Sequence, residues 1–177
     1  CGPARLGDLP VTETVLRVVA KGGGVTASGR HVPFSAPGDL VADDGSITPG
    51  PEHATPPCRH FALRQPQGCG ACELQHLSEA ALADFVRDRV VHGAEGQGLA
   101  ADLVTAPHLS PPRSRRRATL HAERKGGQVL LGFRARASHA IVDMRECHVL
   151  APELFALVAP LRKALARWPG KRLAADV

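Results

Sequence analysis

Aromatic side chains are almost missing from this sequence: they make up 3% of its 177 residues, with no Tyr and one Trp. Any core must be packed from Ala, Val and Leu, and a 44% hydrophobic content suffices for one domain or two small ones, which excludes a chain disordered throughout. Long apolar runs are missing as well. No stretch reaches the roughly 18 residues that cross a bilayer. The opening CGPARLGDLP has no basic segment followed by an apolar one, so neither a membrane span nor a secretion signal is expected. The chain reads as cytoplasmic. It begins at Cys1 without Met, which is read as a partial chain, the processed terminus of a bacterial lipoprotein being the alternative. No internal repeat is found.

Acidic residues are scarce in one half only. Residues 1–112 carry 8 Lys and Arg against 12 Asp and Glu, a net −4, whereas residues 113–177 carry 14 against 5, a net +9. The second half is therefore the candidate polyanion surface, because clustered positive charge supports phosphate contact and steering without reading sequence. A solvated basic face is the alternative.

Residues 14–19 and 30–34 have strand character, with KGGGVTASG between them as turn and loop, and Pro37-Gly38 and Pro49-Gly50-Pro51 punctuate the stretch beyond them. A small all-β module ending near His53 is expected. Ser78 is placed to cap a helix over 78–91 in which Leu82, Phe85, Val86 and Arg89 recur at helical spacing, and Gly93, Gly96 and Gly98 end it. Residues 99–114 read as a connection. Three strand-like runs come next, 117–123, 128–134 and 139–144, the first two joined by Arg124-Lys125-Gly126-Gly127, a hairpin signal. Pro152 opens a helix over 152–168 with Leu154, Phe155, Leu157, Val158, Leu161 and Leu165 on one side. Residues 173–177 look like the start of another strand.

Three cysteines fall in one segment, PPCRHFALRQPQGCGACELQH, as Cys58, Cys69 and Cys72, and Cys147 lies far downstream in DMRECHVL. Four thiolates can close a tetrahedral zinc site or hold an iron-sulfur cluster, since soft sulfur suits both. Gly68 and Gly70 help a Cys-x-x-Cys loop turn its backbone toward a metal. A disulfide framework fits poorly with the lack of a secretion signal. His76, at Cys-x-x-Cys-x-x-x-His spacing, could replace a thiolate on zinc, and His76 and His148 are the histidines placed to support ligands.

The run Cys58-Arg59-His60-Phe61 followed by Gly68-Cys69-Gly70-Ala71-Cys72-Glu73-Leu74-Gln75-His76-Leu77 resembles the cluster-binding segment of bacterial RNA uracil-5 methyltransferases of the 23S ribosomal RNA type. Further similar segments come in the same order. They are Arg115-Arg116-Arg117-Ala118-Thr119-Leu120-His121-Ala122, Leu131-Gly132-Phe133-Arg134, Ser138-His139-Ala140-Ile141-Val142-Asp143 and Cys147-His148-Val149-Leu150-Ala151-Pro152. Together the matches cover residues 12–177, which is more specific than any one motif. The resemblance implies a 4Fe-4S cluster on Cys58, Cys69, Cys72 and Cys147, an N-terminal TRAM domain of OB-barrel type that helps bind RNA, and a C-terminal Rossmann-like domain that binds S-adenosylmethionine. It also implies the chemistry: a Cys nucleophile of that C-terminal domain attacks carbon-6 of uracil, carbon-5 takes the methyl group, and a base removes the carbon-5 proton. Ten residues separate Cys58 from Cys69, about twice the usual spacing of the family, so ALRQPQG reads as an insertion. The donor site, nucleophile and base find no counterpart in these 177 residues.

Gly22-x-Gly24-x-x-Ala27 matches a dinucleotide fingerprint as text, but a strand-like run comes after it where a helix is required. Alternation along a strand lets two of the three residues Arg115, Arg116 and Arg117 face one ligand, and Arg115 with Arg117 is the expected pair. Phe61 and Phe133 are expected in cores rather than stacked on bases. The expected architecture is α+β: a reduced TRAM-like β module over 1–53, an iron-sulfur loop and helix over 54–98, and a hairpin-rich basic domain with flanking helices over 99–177, without the Rossmann-like domain. The expected function is that of a monomeric RNA-engaging half of a uracil-5 methyltransferase, with contacts from Arg113, Arg115, Arg117, Arg134 and Arg136. Its RNA would be 23S ribosomal RNA, transfer RNA being the second candidate. S-adenosylmethionine would serve the complete protein without binding this part. The alternative is a stand-alone, non-catalytic RNA-binding module holding zinc or a cluster. Cys147 is expected beside the other ligands because the strands before it fold back on the helix at Ser78, and Cys1 should stay apart.

Overall fold

The first strand, β1 (Thr12–Val18), changes partner half-way along. In the computed structural model, which describes residues 12–61, 68–169 and 174–176, its first three residues pair with β4 (Leu40–Ala42). From Val15 onward it pairs with β2 (Gly24–Thr26), with an irregularity between Val15 and Arg17. With β3 (His31–Val32) and β5 (Ile47–Thr48) the order is β3-β2-β1-β4-β5, antiparallel throughout. A bulge of this kind bends a strand and raises its twist, which lets five short strands curl around a core of Val15, Val32 and Val41. β2 lies inside the stretch that reads as turn and loop in the sequence. Three residues are too few to show a period, and the strand exists because Val15 and Arg17 offer a ladder to Thr26 and Val25.

The chain contacts divide these residues into two compact units. The first gathers the described residues up to Thr55 together with Leu74–His108, and the second gathers Pro56–Glu73 and the described residues from Leu109 onward. In the first unit, helix α1 (Glu79–Glu95) starts where the cap chemistry places it: the Ser78 hydroxyl accepts the Ala81 amide at 3.0 Å. Its Ala81 packs with Ala36 and Leu77 in a core separate from the valine core of the strands.

The second unit carries a sheet of order β7-β6-β8, built from β6 (His121–Lys125), β7 (Gln128–Gly132) and β8 (Ala174–Asp176). Gly126 and Gly127 both take positive φ, 58° and 80°, which a two-residue hairpin turn of primed type demands. The expected strand over 139–144 is not regular. It lies along β7 through the Val142 amide donating to the Phe133 carbonyl and that of Met144 to Leu131, with one bridge from Arg134 to Ile141. The helix expected over 152–168 is two helices, α2 (Pro152–Ala156) and α3 (Val158–Ala166). Pro160 has no N–H to donate to the carbonyl of Ala156, so one continuous helix would lose a bond there, whereas a proline is tolerated in the first turn of a new helix. Leu120, Ala122, Leu131, Met144, Leu150 and Val158 form the core beneath, and Arg124 donates to the carbonyls of Leu165, Ala166 and Trp168 at the end of α3.

Gly132 is where the segment before Cys147 crosses β7 most closely, since a Cβ built there would overlap the Val142 carbonyl oxygen. Gly132→Ala is therefore expected to destabilise the second unit by about 1–3 kcal/mol, the usual cost of overpacking. Urea titration of the variant with the Val129 and Leu131 amides followed by NMR would check it; an unchanged midpoint refutes this reading of the crossing. Among the described residues both sheets are antiparallel, no strand–helix–strand unit of the Rossmann kind is formed, and no helix is long and apolar enough to cross a membrane.

Candidate metal centre and basic surface

The loop that carries Cys69 and Cys72 is stitched to the hairpin that carries Arg134 and Arg136. Residues 68–70 run antiparallel to 134–136: the Gly70 amide donates to the Arg134 carbonyl and that of Arg136 to Gly68, each at 2.9 Å, with Cys69 opposite Ala135. A Cβ on Gly70 would sit 3.0 Å from the Arg134 carbonyl oxygen, so the pairing requires a residue without one. The Cys58 end of the loop is held by two further contacts 85 or more residues apart in sequence. The Glu146 carboxylate takes the backbone N–H and the Nε of Arg59, and the Nε2 of His60 accepts the Arg145 amide at 3.0 Å. These bonds set the Cys58 segment against the Cys147 segment, both within the second unit.

The Leu150 amide donates to the Cys147 sulfur at 3.4 Å, and nearby backbone N–H groups, of His60 at Cys58 and of Ala71 at Cys69, act on the other two thiols. Such donors favour thiolate over thiol. Burial works the other way and prevails at Cys58 and Cys69, where it pushes both thiols above their ordinary range; Cys58 feels Cys147 as well, and Cys69 feels both Cys58 and Cys147. Buried, soft sulfurs already supplied with N–H donors are chemically suited to a soft cation, whose charge would supply the deprotonation that burial resists. Among the described residues, however, no three His, Cys, Asp or Glu side chains are gathered closely enough to hold a single metal ion. Cys72 stands three residues beyond Cys69 on the same loop, half-buried. Of the insertion between Cys58 and Cys69, ALRQPQG, all but Gly68 lies outside the described residues, as does Cys1.

The histidines are placed differently from what spacing implies. His76, fully buried, belongs to the first unit, where its Nε2 lies 3.3 Å from the Ser35 carbonyl and its ring packs on Phe34 and His53. His148 stays near the cysteines, 3.8 Å from Glu146. The histidine that spacing overlooked is His60. It is buried, and burial pushes its pKa down. Because Nε2 accepts a hydrogen bond, Nδ1 carries the proton, and this donor has no partner among the described residues. Its place two residues after Cys58 was the available signal. Phe61 is buried, and Phe133 is half-buried against the core of the second unit.

Arg113, Arg115, Arg116 and Arg117 are all exposed, and among the described residues none forms an ion pair. Their segment runs beside the Cys147 segment: the Arg113 amide donates to His148, that of Arg115 to Val149, and that of Ala151 to the Arg115 carbonyl. Arg115 forms an isolated parallel bridge with Leu150, and regular strand begins at His121. Other arginines are engaged structurally. Arg162 and Arg145 grip Asp143 at 2.7 and 2.6 Å, and Arg59 grips Glu146. Arg134 is exposed, 3.5 Å from the Nδ1 of His139, and half-buried Arg136 is 3.7 Å from Glu73.

No protein-family model matches the chain. Curated relatives do. A protein of Zymomonas mobilis that bears the name uncharacterized RNA methyltransferase is 39% identical over 163 residues, covering 92% of this chain and 40% of that protein. One of the same description from Rhizobium meliloti is 35% identical over 168 residues, covering 88% of this chain and 40% of that protein. The 23S rRNA (uracil(1939)-C(5))-methyltransferase RlmD of Halomonas elongata is 38% identical over 120 residues, covering 66% of this chain and 24% of that protein. The chain thus spans about 40% of the length of the first two.

Proposed function

The chain belongs to the bacterial RNA methyltransferase family, and from that premise we propose that it forms the RNA-engaging, cluster-holding part of an enzyme that transfers a methyl group from S-adenosylmethionine to carbon-5 of a uracil, in the cytoplasm. The observation that carries this reading is the run of unpaired, exposed arginines at 113–117 laid along the segment of Cys147. Among the described residues these arginines form no ion pair, so their guanidiniums are open to phosphates. Arg134 extends the surface. The five-stranded curled sheet of the first unit is consistent with a reduced TRAM-like module. A uracil in 23S ribosomal RNA is the favoured substrate, since a relative named for that reaction aligns with two thirds of this chain.

A 4Fe-4S cluster held by Cys58, Cys69, Cys72 and Cys147 is the reading for the sulfurs. A single zinc would need them about 4 Å apart around bonds of about 2.3 Å, whereas a cubane bridges wider separations. When bound, the group would serve as a cross-link between the loop and the distant Cys147. The alternative is a stand-alone, non-catalytic RNA-binding module holding zinc or a cluster, and metal analysis separates zinc from iron. Anaerobically purified protein is expected to be brown, with about four irons per chain; one zinc per colourless chain would overturn the cluster. Methyl transfer by the isolated 177-residue chain is expected to be undetectable with added S-adenosylmethionine, while RNA is retained on it. A chain that fails to retain RNA at low salt would overturn the proposed function.

A further inference from the structure

The pairing of 68–70 with 134–136 leaves a niche of about 260 Å³ at its edge. The cysteine loop supplies one wall through Gly70, Ala71 and Glu73, and the hairpin supplies the other through Phe133, Arg134 and Arg136. In this pairing Ala135, buried, lies opposite Cys69, and the run 133–137 turns so that all five of its residues reach the niche. Gly70 and Ala71 leave room for a flat group, Phe133 offers part of an aromatic face, and two guanidiniums and one carboxylate surround the opening. Cation for phosphate, plane for base and carboxylate for an exocyclic amine are the elements by which proteins take up an unstacked nucleotide. The volume is below that of ordinary drug-sized sites, at the scale of one such unit.

We infer that this niche holds one unpaired nucleotide of single-stranded RNA, its phosphate on Arg134 and Arg136 and its base between Ala71 and Phe133. The inference rests on the reading that the chain engages RNA, and it adds a preference: a base locked in a duplex stack cannot enter, so the niche discriminates single strand from duplex. It also makes the cysteine loop part of the RNA site, since removing that loop removes a wall.

The test uses the full 177-residue chain, a short labelled single-stranded RNA and the same strand annealed to its complement, followed by fluorescence anisotropy across a salt series. Ala71→Leu fills the niche without touching the backbone pairing of Gly70, and it is expected to weaken single-strand binding about tenfold, the worth of one stacked base, with duplex binding and salt slope unchanged. Arg134→Ala is expected to lower the single-strand slope by about 0.7. Photocrosslinking of wild-type protein to 4-thiouridine in the same strand gives a readout free of any folding defect in the variants, with adducts expected within 70–73 or 133–137. Unchanged single-strand affinity in Ala71→Leu, an equal loss for duplex, or adducts confined to other residues would each overturn the niche while leaving RNA engagement standing. Wild-type protein that binds neither strand overturns the proposed function itself.

Discussion

Asp39→Ala is expected to unlock the first unit. Asp39 is completely buried, yet its carboxylate is fully engaged: Oδ2 accepts the Ala36 amide and pairs with the Nδ1 of His53, each at 2.7 Å, and Oδ1 accepts the Gly50 amide at 2.8 Å. Truncation strands two amides and an imidazole without an acceptor, a change that costs about 3–5 kcal/mol where one member of a buried charged network is removed. Two compact units make a single melting curve hard to interpret, so native-state hydrogen exchange is the better measurement. The Val15 amide, which donates to the Asp39 carbonyl at 2.9 Å, is expected to lose about two to three orders of magnitude of protection, in line with the same energy. The Met144 amide in the second unit should keep its own. Asp39→Asn, which retains one acceptor, should fall between. If Val15 exchanges in Asp39→Ala as it does in the unaltered chain, the carboxylate is not what holds the module.

Reversing Arg115 and Arg117 to glutamate is expected to lower RNA affinity about a hundredfold at low salt and to reduce the salt slope by about 1.4, because two phosphate contacts disappear and two repulsions replace them. The loss should be similar across RNA sequences, since these contacts position without specifying. Arg116→Glu should cost less than reversal of either, because Arg115 bridges Leu150 and its neighbour in an extended segment faces the other side. Reversal of Arg17, exposed on β1 in the acidic half, should leave affinity nearly unchanged. Equal effects from Arg17→Glu and from the double reversal would mean that net charge, rather than this surface, governs binding.

Asp39 and the arginine run differ sharply in how visible they are in the sequence. The arginines and their position in a half of net +9 can be read directly. Asp39 is visible only as one of several acids in the net-negative N-terminal half. Its burial depends on loops at 36 and 50 closing over it, and no local pattern encodes that closure. His76 shows the converse. Its spacing from Cys72 points to a metal, and the structure instead packs it against Phe34 and His53, because a cysteine-rich loop can belong to one unit while the residues just beyond it belong to the other.

By itself the sequence determined the local features: the start of α1 at a serine cap, the turn at Gly126 and Gly127, the helical start at Pro152, the identity of the thiols, and a basic second half. Each depends on residues within a few positions of one another, where propensity, capping and turn chemistry act without help from the rest of the chain. Tertiary structure alone decided that β2 is a strand, that 139–144 is not one, that Asp39 and His76 are interior, and that Arg145 and Glu146 hold the Cys58 segment. Those outcomes depend on partners brought from far along the chain, such as Glu146 on Arg59 and Ala135 on Cys69, and a side chain's surroundings at that range come from packing that no window of sequence contains.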